Sequence, residues 1–90
     1  MSKILKENIK AMISPIKKIE AIRGVEFDWR NGDGHDVGVI AEELEKVIPE
    51  AVTEINGIKA VYYYKILPLL IEVVKAQQAQ IKKLQEVSNA

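Results

Sequence analysis

Two short stretches hold most of the groups that could do chemistry. In "NGDGHD", Asn31, Asp33, His35 and Asp36 offer oxygen and imidazole donors close together, the kind of cluster a calcium loop gathers. The EF-hand spacing fails, because His35 takes the fifth position counted from Asn31 and Asp36 the sixth, where glycine is required. These read as turn and strand residues, and no metal is expected. In "AEELE", Glu42, Glu43 and Glu45 offer carboxylates for acid/base work. Adjacent residues on a helix point in different directions, and acids in a first helical turn are favoured by the macrodipole alone. A solvated helix start is the simpler reading.

With no cysteine there is neither thiol nor disulfide, and His35, the only histidine, cannot make a standard structural zinc site. Ser14, Thr53 and Ser88 stand outside any histidine motif and no G-x-S-x-G occurs, which excludes an ordinary hydrolase; no cofactor is expected. Trp29, Tyr62, Tyr63 and Tyr64 lack the interleaved basic residues of a nucleic-acid stacking platform and read as core and interface packing. Thirteen Lys plus Arg balance thirteen Asp plus Glu. That neutrality removes the usual electrostatic basis for binding nucleic acid or an anionic membrane. Lys3, Lys6, Lys10, Lys17 and Lys18 form only a local basic bias. The N-terminal stretch mixes Lys, Glu and scattered apolar positions without a continuous apolar core, so it reads as neither signal peptide nor membrane span.

The elements that must position these residues follow from pattern. Ninety residues make a single domain, 1–90, and a chain of this size buries only about 60 to 65% of its unfolded surface, so help from partner chains is expected. In "AMISPIKKIEAIRG", Ser14 caps a short helix from Pro15 to Ile22, and Gly24 closes it in the left-handed region. "GVEFDW" alternates Val25, Phe27 and Trp29 with Glu26 and Asp28, a half-buried strand that "NGDG" reverses into "HDVGVI". "AEELEKVIP" places Ile40, Leu44, Val47 and Ile48 on one helical stripe, ended by Pro49. Asn56-Gly57, between "AVTEI" and "IKAVYY", predicts a second hairpin with a type I′ turn.

Residues 1–63 thus form an α+β part, and residues 64–88 one long helix in which Pro68 must lie in the first turn. Leu67, Leu70, Val74, Gln77, Ile81 and Leu84 recur at alternating steps of three and four. This is a heptad seam with Leu67, Val74 and Ile81 at a, and Leu70, Gln77 and Leu84 at d. The flanking positions, Ile71, Val73, Gln78, Gln80, Gln85 and Val87, are apolar or amide, a wide face that favours three or more strands, whereas β-branched residues at a with Leu at d favour a parallel dimer; the wide face is given more weight. Leu67 to Val74 also suit covering the domain's own core. From Ala76 onward the pattern narrows to a seam between polar faces.

The block "GVEFDW…HDVGVIAEELEKVIPEAV…NGIKAVYYYKILPLLIEVVKAQQAQIKKLQ" resembles the C-terminal intramolecular chaperone domain of phage tailspikes and tail fibres, the peptidase S74 family. It is similar also to the related domain of myelin-regulatory-factor-like proteins. The most specific element, "GVIAEELEKVIPEAV", matches the family's "G-hydrophobic-IAQE" and "PE-x-V" signature, with Glu42 standing where glutamine is usual. A "VxYxxLxPLL" helix follows at the family's distance.

The resemblance implies a parallel homotrimer that assists the folding of an upstream β-rich stalk and then cuts itself off at a Ser-Asp junction. The family's nucleophile is that serine, and a lysine five residues later in "SDxRLKxNI" is its base. Aligning "LKENI" with this motif puts Lys6 at the base position, Ser2 at the aspartate and Met1 at the nucleophile. The chain is therefore expected to be a post-cleavage or cleavage-incompetent form of a serine-type autoprotease. Assembly in the host cytoplasm and release from the virion fibre are implied likewise. A plain coiled-coil scaffold without self-processing is the alternative; a DNA-binding zipper is disfavoured by the missing basic region.

Overall fold

The computed structural model describes residues 2–89. Its element order is α1 (Pro15–Glu20), β1 (Val25–Asp28), β2 (His35–Gly38), α2 (Ala41–Glu45), β3 (Val52–Ile55), β4 (Ile58–Val61) and α3 (Leu67–Ser88), with 3-10 turns at Lys3–Leu5, Pro49–Ala51 and Tyr63–Lys65. Each strand pair is a separate antiparallel two-stranded sheet. The architecture is α+β, with two hairpins and a long C-terminal helix, as the patterning predicts.

Local chemistry accounts for most of these elements. Asn56 and Gly57 both adopt positive φ, 52° and 79°, so the second hairpin turns as the Asn-Gly pair requires, with Ile55 opposite Ile58. In the first hairpin Val25 and Phe27 are half-buried while Glu26 and Asp28 face out. Pro68 does fall in the first turn of α3, where its missing N–H costs no intrahelical bond.

Four local expectations fail. Helix α2 runs only from Ala41 to Glu45, with Ile40 as its N-cap and Val47 and Ile48 in the turn beyond it, so Pro49 does not end it. Ser14 makes no side-chain capping bond, because it takes a left-handed conformation (φ 50°) that turns the chain into α1 instead. That helix ends at Glu20 rather than Ile22, with Ala21 as a right-handed cap whose N–H reaches Lys18 and Ile19, so Gly24 does not close it. The long helix starts at Leu67, not residue 64, since Tyr63–Lys65 wind more tightly as a 3-10 turn that leads into Pro68.

The core is small. Leu44 and Ile48 from α2 and the turn after it, Ala51, and Leu69 and Val73 from α3 are buried, with Ile16 and Ile19 of α1, Val52 and Val61 of the second hairpin, and Ile66 packed around them. The accessible surface is 7656 Å², against about 5300 Å² for a globular monomer of this mass. The radius of gyration, 17.3 Å, likewise exceeds the roughly 12 Å of a compact chain of this length. Alone, the chain is extended and holds much apolar surface in water.

Candidate assembly surface

Helix α3 carries two apolar stripes. Consecutive helical residues are about 100° apart around the axis, so Leu69 and Val73 form one line and Leu70 and Val74 the next. Leu69 and Val73 are 0% and 6% exposed, closed by the domain's own core, whereas Leu67, Leu70, Val74, Ile81 and Leu84 are all open. Gln77 is exposed in the same row. Thus the covering role expected for Leu67 to Val74 belongs to Leu69 and Val73, and the heptad seam is left free along its whole length. Val73 is also withdrawn from the seam's flank, where it was expected, because α1 and α2 pack on that side of α3. Ile71 and Val87 remain exposed beside the seam.

Polar contacts tie the hairpins to α2 and to the turn that leads into α3. The Tyr63 hydroxyl accepts a hydrogen bond from the Val39 N–H at 3.2 Å, tying the end of β2 to the turn that starts α3. That hydroxyl also abuts Gly38 so closely that any side chain there would collide with it. Arg23 donates from Nε and a terminal nitrogen to both Glu43 oxygens, 2.9 to 3.2 Å away, and so clamps the segment after α1 to α2. This fork holds the Glu43 carboxyl below, and the Arg23 guanidinium above, their ordinary ranges. Lys59 of β4 donates to Glu45, and that hydrogen bond raises the Lys59 ammonium. Two of the three α2 acids are therefore ion-paired rather than simply solvated. Neither sits in a constellation for acid/base work.

The turn "NGDG" is held by its own side chains: the Asp33 N–H donates to Asn31 Oδ1 at 3.0 Å and Asn31 Nδ2 to Asp33 Oδ2 at 2.8 Å. His35 and Asp36, adjacent in sequence, serve opposite faces of β2. The imidazole of His35 lies 2.9 Å from Asp28, its cross-strand partner, and 3.3 Å from Glu26. These two hydrogen bonds, Asp28 first, raise the His35 pKa above its ordinary value. Asp36 instead accepts from Trp29 Nε1 at 3.3 Å. None of the aromatics expected in packing reaches the core: Trp29 sets its edge on Phe27, with centroids 4.8 Å apart, and Tyr62, Tyr63 and Tyr64 are exposed. Trp29 lies one residue past the end of β1, and Tyr63 and Tyr64 lie in a 3-10 turn at the surface.

Lys6 follows the first 3-10 turn in extended conformation, its N–H donating to the Lys3 carbonyl, and its side chain is exposed. Ser2 Oγ accepts from the Ile4 N–H at 3.3 Å, a capping role that the sequence reading did not assign. Met1, at the nucleophile position, lies outside the described residues.

Residues 2–53 match the family model Peptidase_S74, described as the chaperone of endosialidase. The match takes in the N-terminal segment, α1, the first hairpin and α2. The long tail fiber proteins Gp37 of Enterobacteria phages K3 and T2 are each 33% identical to this chain over 91 residues, covering 90% of the chain but 7% of the relative's length.

Proposed function

Since the chain belongs to the chaperone-of-endosialidase family, we propose that it is the intramolecular chaperone domain of a phage tail fibre, 1–90 acting as one unit that joins three copies in parallel through the α3 seam. The observation that carries this reading is the open row Leu67, Leu70, Val74, Ile81 and Leu84 beside the closed pair Leu69 and Val73. A helix that has already covered its own core keeps a second apolar stripe only at a cost in water, unless partner helices cover it. Over 22 residues that stripe runs about 33 Å, long enough for three heptads. Exposed amides beside it at Gln78, Gln80 and Gln85, in place of charges, suit the wide buried face of a trimer.

Such a trimer brings three upstream fibre chains into register at their ends. The non-local β pairing of a fibre stalk is slow because loop-closure entropy opposes it, and its edges aggregate meanwhile. Parallel helices fix the register first. Assembly belongs in the host cytoplasm, and the parent belongs to the virion. Release of the domain is a cut ahead of residue 2, with Lys6 as base toward a serine hydroxyl at position 1; Met1 provides no hydroxyl there.

Sedimentation equilibrium tests the assembly. A trimer over a broad concentration range is expected, and Leu70→Asp with Ile81→Asp should leave folded monomers, because each chain would bury unpaired carboxylates in the seam. A wild-type chain that stays monomeric or dimeric sinks the reading.

A further inference from the structure

A second unpartnered surface lies away from the seam. Between the hairpins, Phe27, Trp29, Ile40, Ile58 and Tyr63 line an apolar cleft of about 500 Å³, with Glu42 and Lys59 also in its lining, the lysine already paired with Glu45. Trp29 and Ile58 stand open to solvent there. Glu42 makes no ion pair among the described residues, unlike Glu43 and Glu45 on the same helix. Asp36 adds a second carboxylate beside Trp29.

The N-terminal arm, residues 2–13, is the complementary piece. Ile4, Leu5, Ile9 and Ile13 are 62 to 86% exposed. Three lysines, Lys3, Lys6 and Lys10, face one acid, Glu7, along the same stretch. Arm and cleft are both left open by a chain folded on its own, so the chain's own arm does not fill its own cleft.

We propose that the cleft of one copy receives the N-terminal arm of a second copy, with the arm's apolar residues against Trp29 and Ile58 and its lysines near Glu42 and Asp36. The proposal rests on the trimeric reading, which brings the copies side by side. Each chain has one arm and one cleft, so an arm-into-cleft contact repeated around a three-fold axis closes after three steps and leaves no surface over. Because Lys59 is neutralised by Glu45, the carboxylates of Glu42 and Asp36 are left for the arm's lysines, whereas arm against arm would set lysine against lysine. The apolar contact removes from water the isoleucines that a lone chain exposes.

The chain has no cysteine, so paired thiols report the contact directly. Ile9→Cys and Ile58→Cys, both at exposed positions outside the core, are placed in separate chains, and the two proteins are refolded together and oxidised. Covalent dimers that form only in the mixture are expected. Lys3→Glu with Lys10→Glu, or added salt, should lower the cross-linked fraction at least about threefold. The same two cysteines placed in one chain decide the alternative: cross-linked monomers would mean that the arm folds back on its own cleft, and the proposal falls. Sedimentation of the same samples separates the two readings. A trimer with no cross-link overturns the arm exchange alone and points to another cover, such as upstream chain; monomers with no cross-link overturn both.

Discussion

Leu69 and Leu70 are neighbours on α3, yet Leu69 is fully enclosed by its own domain and Leu70 is 41% exposed on the adjoining stripe. In the proposed trimer one helix would serve two interfaces, and a single step along it would separate folding from assembly. Leu69→Ala should destabilise the domain by about 2 to 5 kcal/mol through lost contacts and a cavity. Leu70→Ala should change unfolding of the dilute chain by no more than about 0.5 kcal/mol and act on association instead. Denaturant melts at low and high protein concentration separate the two effects; equal concentration dependence in both variants would contradict the division.

Gln77 is the only polar residue in the seam row. In the proposed trimer, an amide at a d position would set register at some cost in stability. Gln77→Leu should raise the melting temperature of the assembled protein and loosen its oligomeric state. A lower melting temperature would remove that role.

Tyr63 and Gly38 form a matched pair. Losing the Tyr63 hydroxyl leaves the Val39 N–H without its acceptor, and Tyr63→Phe should cost about 0.5 to 1.5 kcal/mol. Gly38→Ala should cost more, since the new methyl meets the hydroxyl. In the Tyr63→Phe background that cost should shrink. A double-mutant cycle reads the coupling, and strictly additive losses would show that the contact does not set the glycine.

His35 predicts a pH dependence of the first hairpin. Its pKa is raised above the ordinary 6.5 by hydrogen bonds to Asp28 and then Glu26. A raised folded-state pKa stabilises the fold fully below the unfolded value, and that contribution is lost as pH rises through the folded value. His35→Gln should therefore lower the melting temperature slightly in mildly acidic buffer and leave it unchanged in alkaline buffer, with the difference weakened by salt because the group is exposed. A difference that persists in alkaline buffer would assign the effect to packing.

The cleavage half of the proposed function has its own test. A serine at position 1, with fibre sequence ahead of it, should restore self-cutting, and Lys6→Ala should abolish the cut while the trimer persists. Intact mass after refolding reads both. Proton transfer needs the amine within about 2.6 to 3.2 Å of the hydroxyl. Should the serine-bearing chain stay whole, Ser2→Asp is the next variant; should Lys6→Ala cut at full rate, Lys6 is not the base.

The sequence by itself determined whatever rests on short-range geometry. Asn56-Gly57 gave its hairpin because few other pairs tolerate two positive φ angles, and Pro68 marked the first turn of α3 because it fits nowhere else in a helix. The heptad spacing from Leu67 to Leu84 was likewise visible in the order of residues, as was the family signature in "GVIAEELEKVIPEAV". Only the tertiary structure decided which stripe of α3 stays open. Two apolar rows a third of a turn apart look like one wide face in a linear pattern, and it is the packing of α1 and α2 that closes Leu69 and Val73 and leaves Leu70 and Val74 free. The same holds for the Tyr63 hydroxyl on Val39 and the Arg23 fork on Glu43. Their partners lie 24 and 20 residues away in the chain, and no local propensity reports a contact that only folding creates.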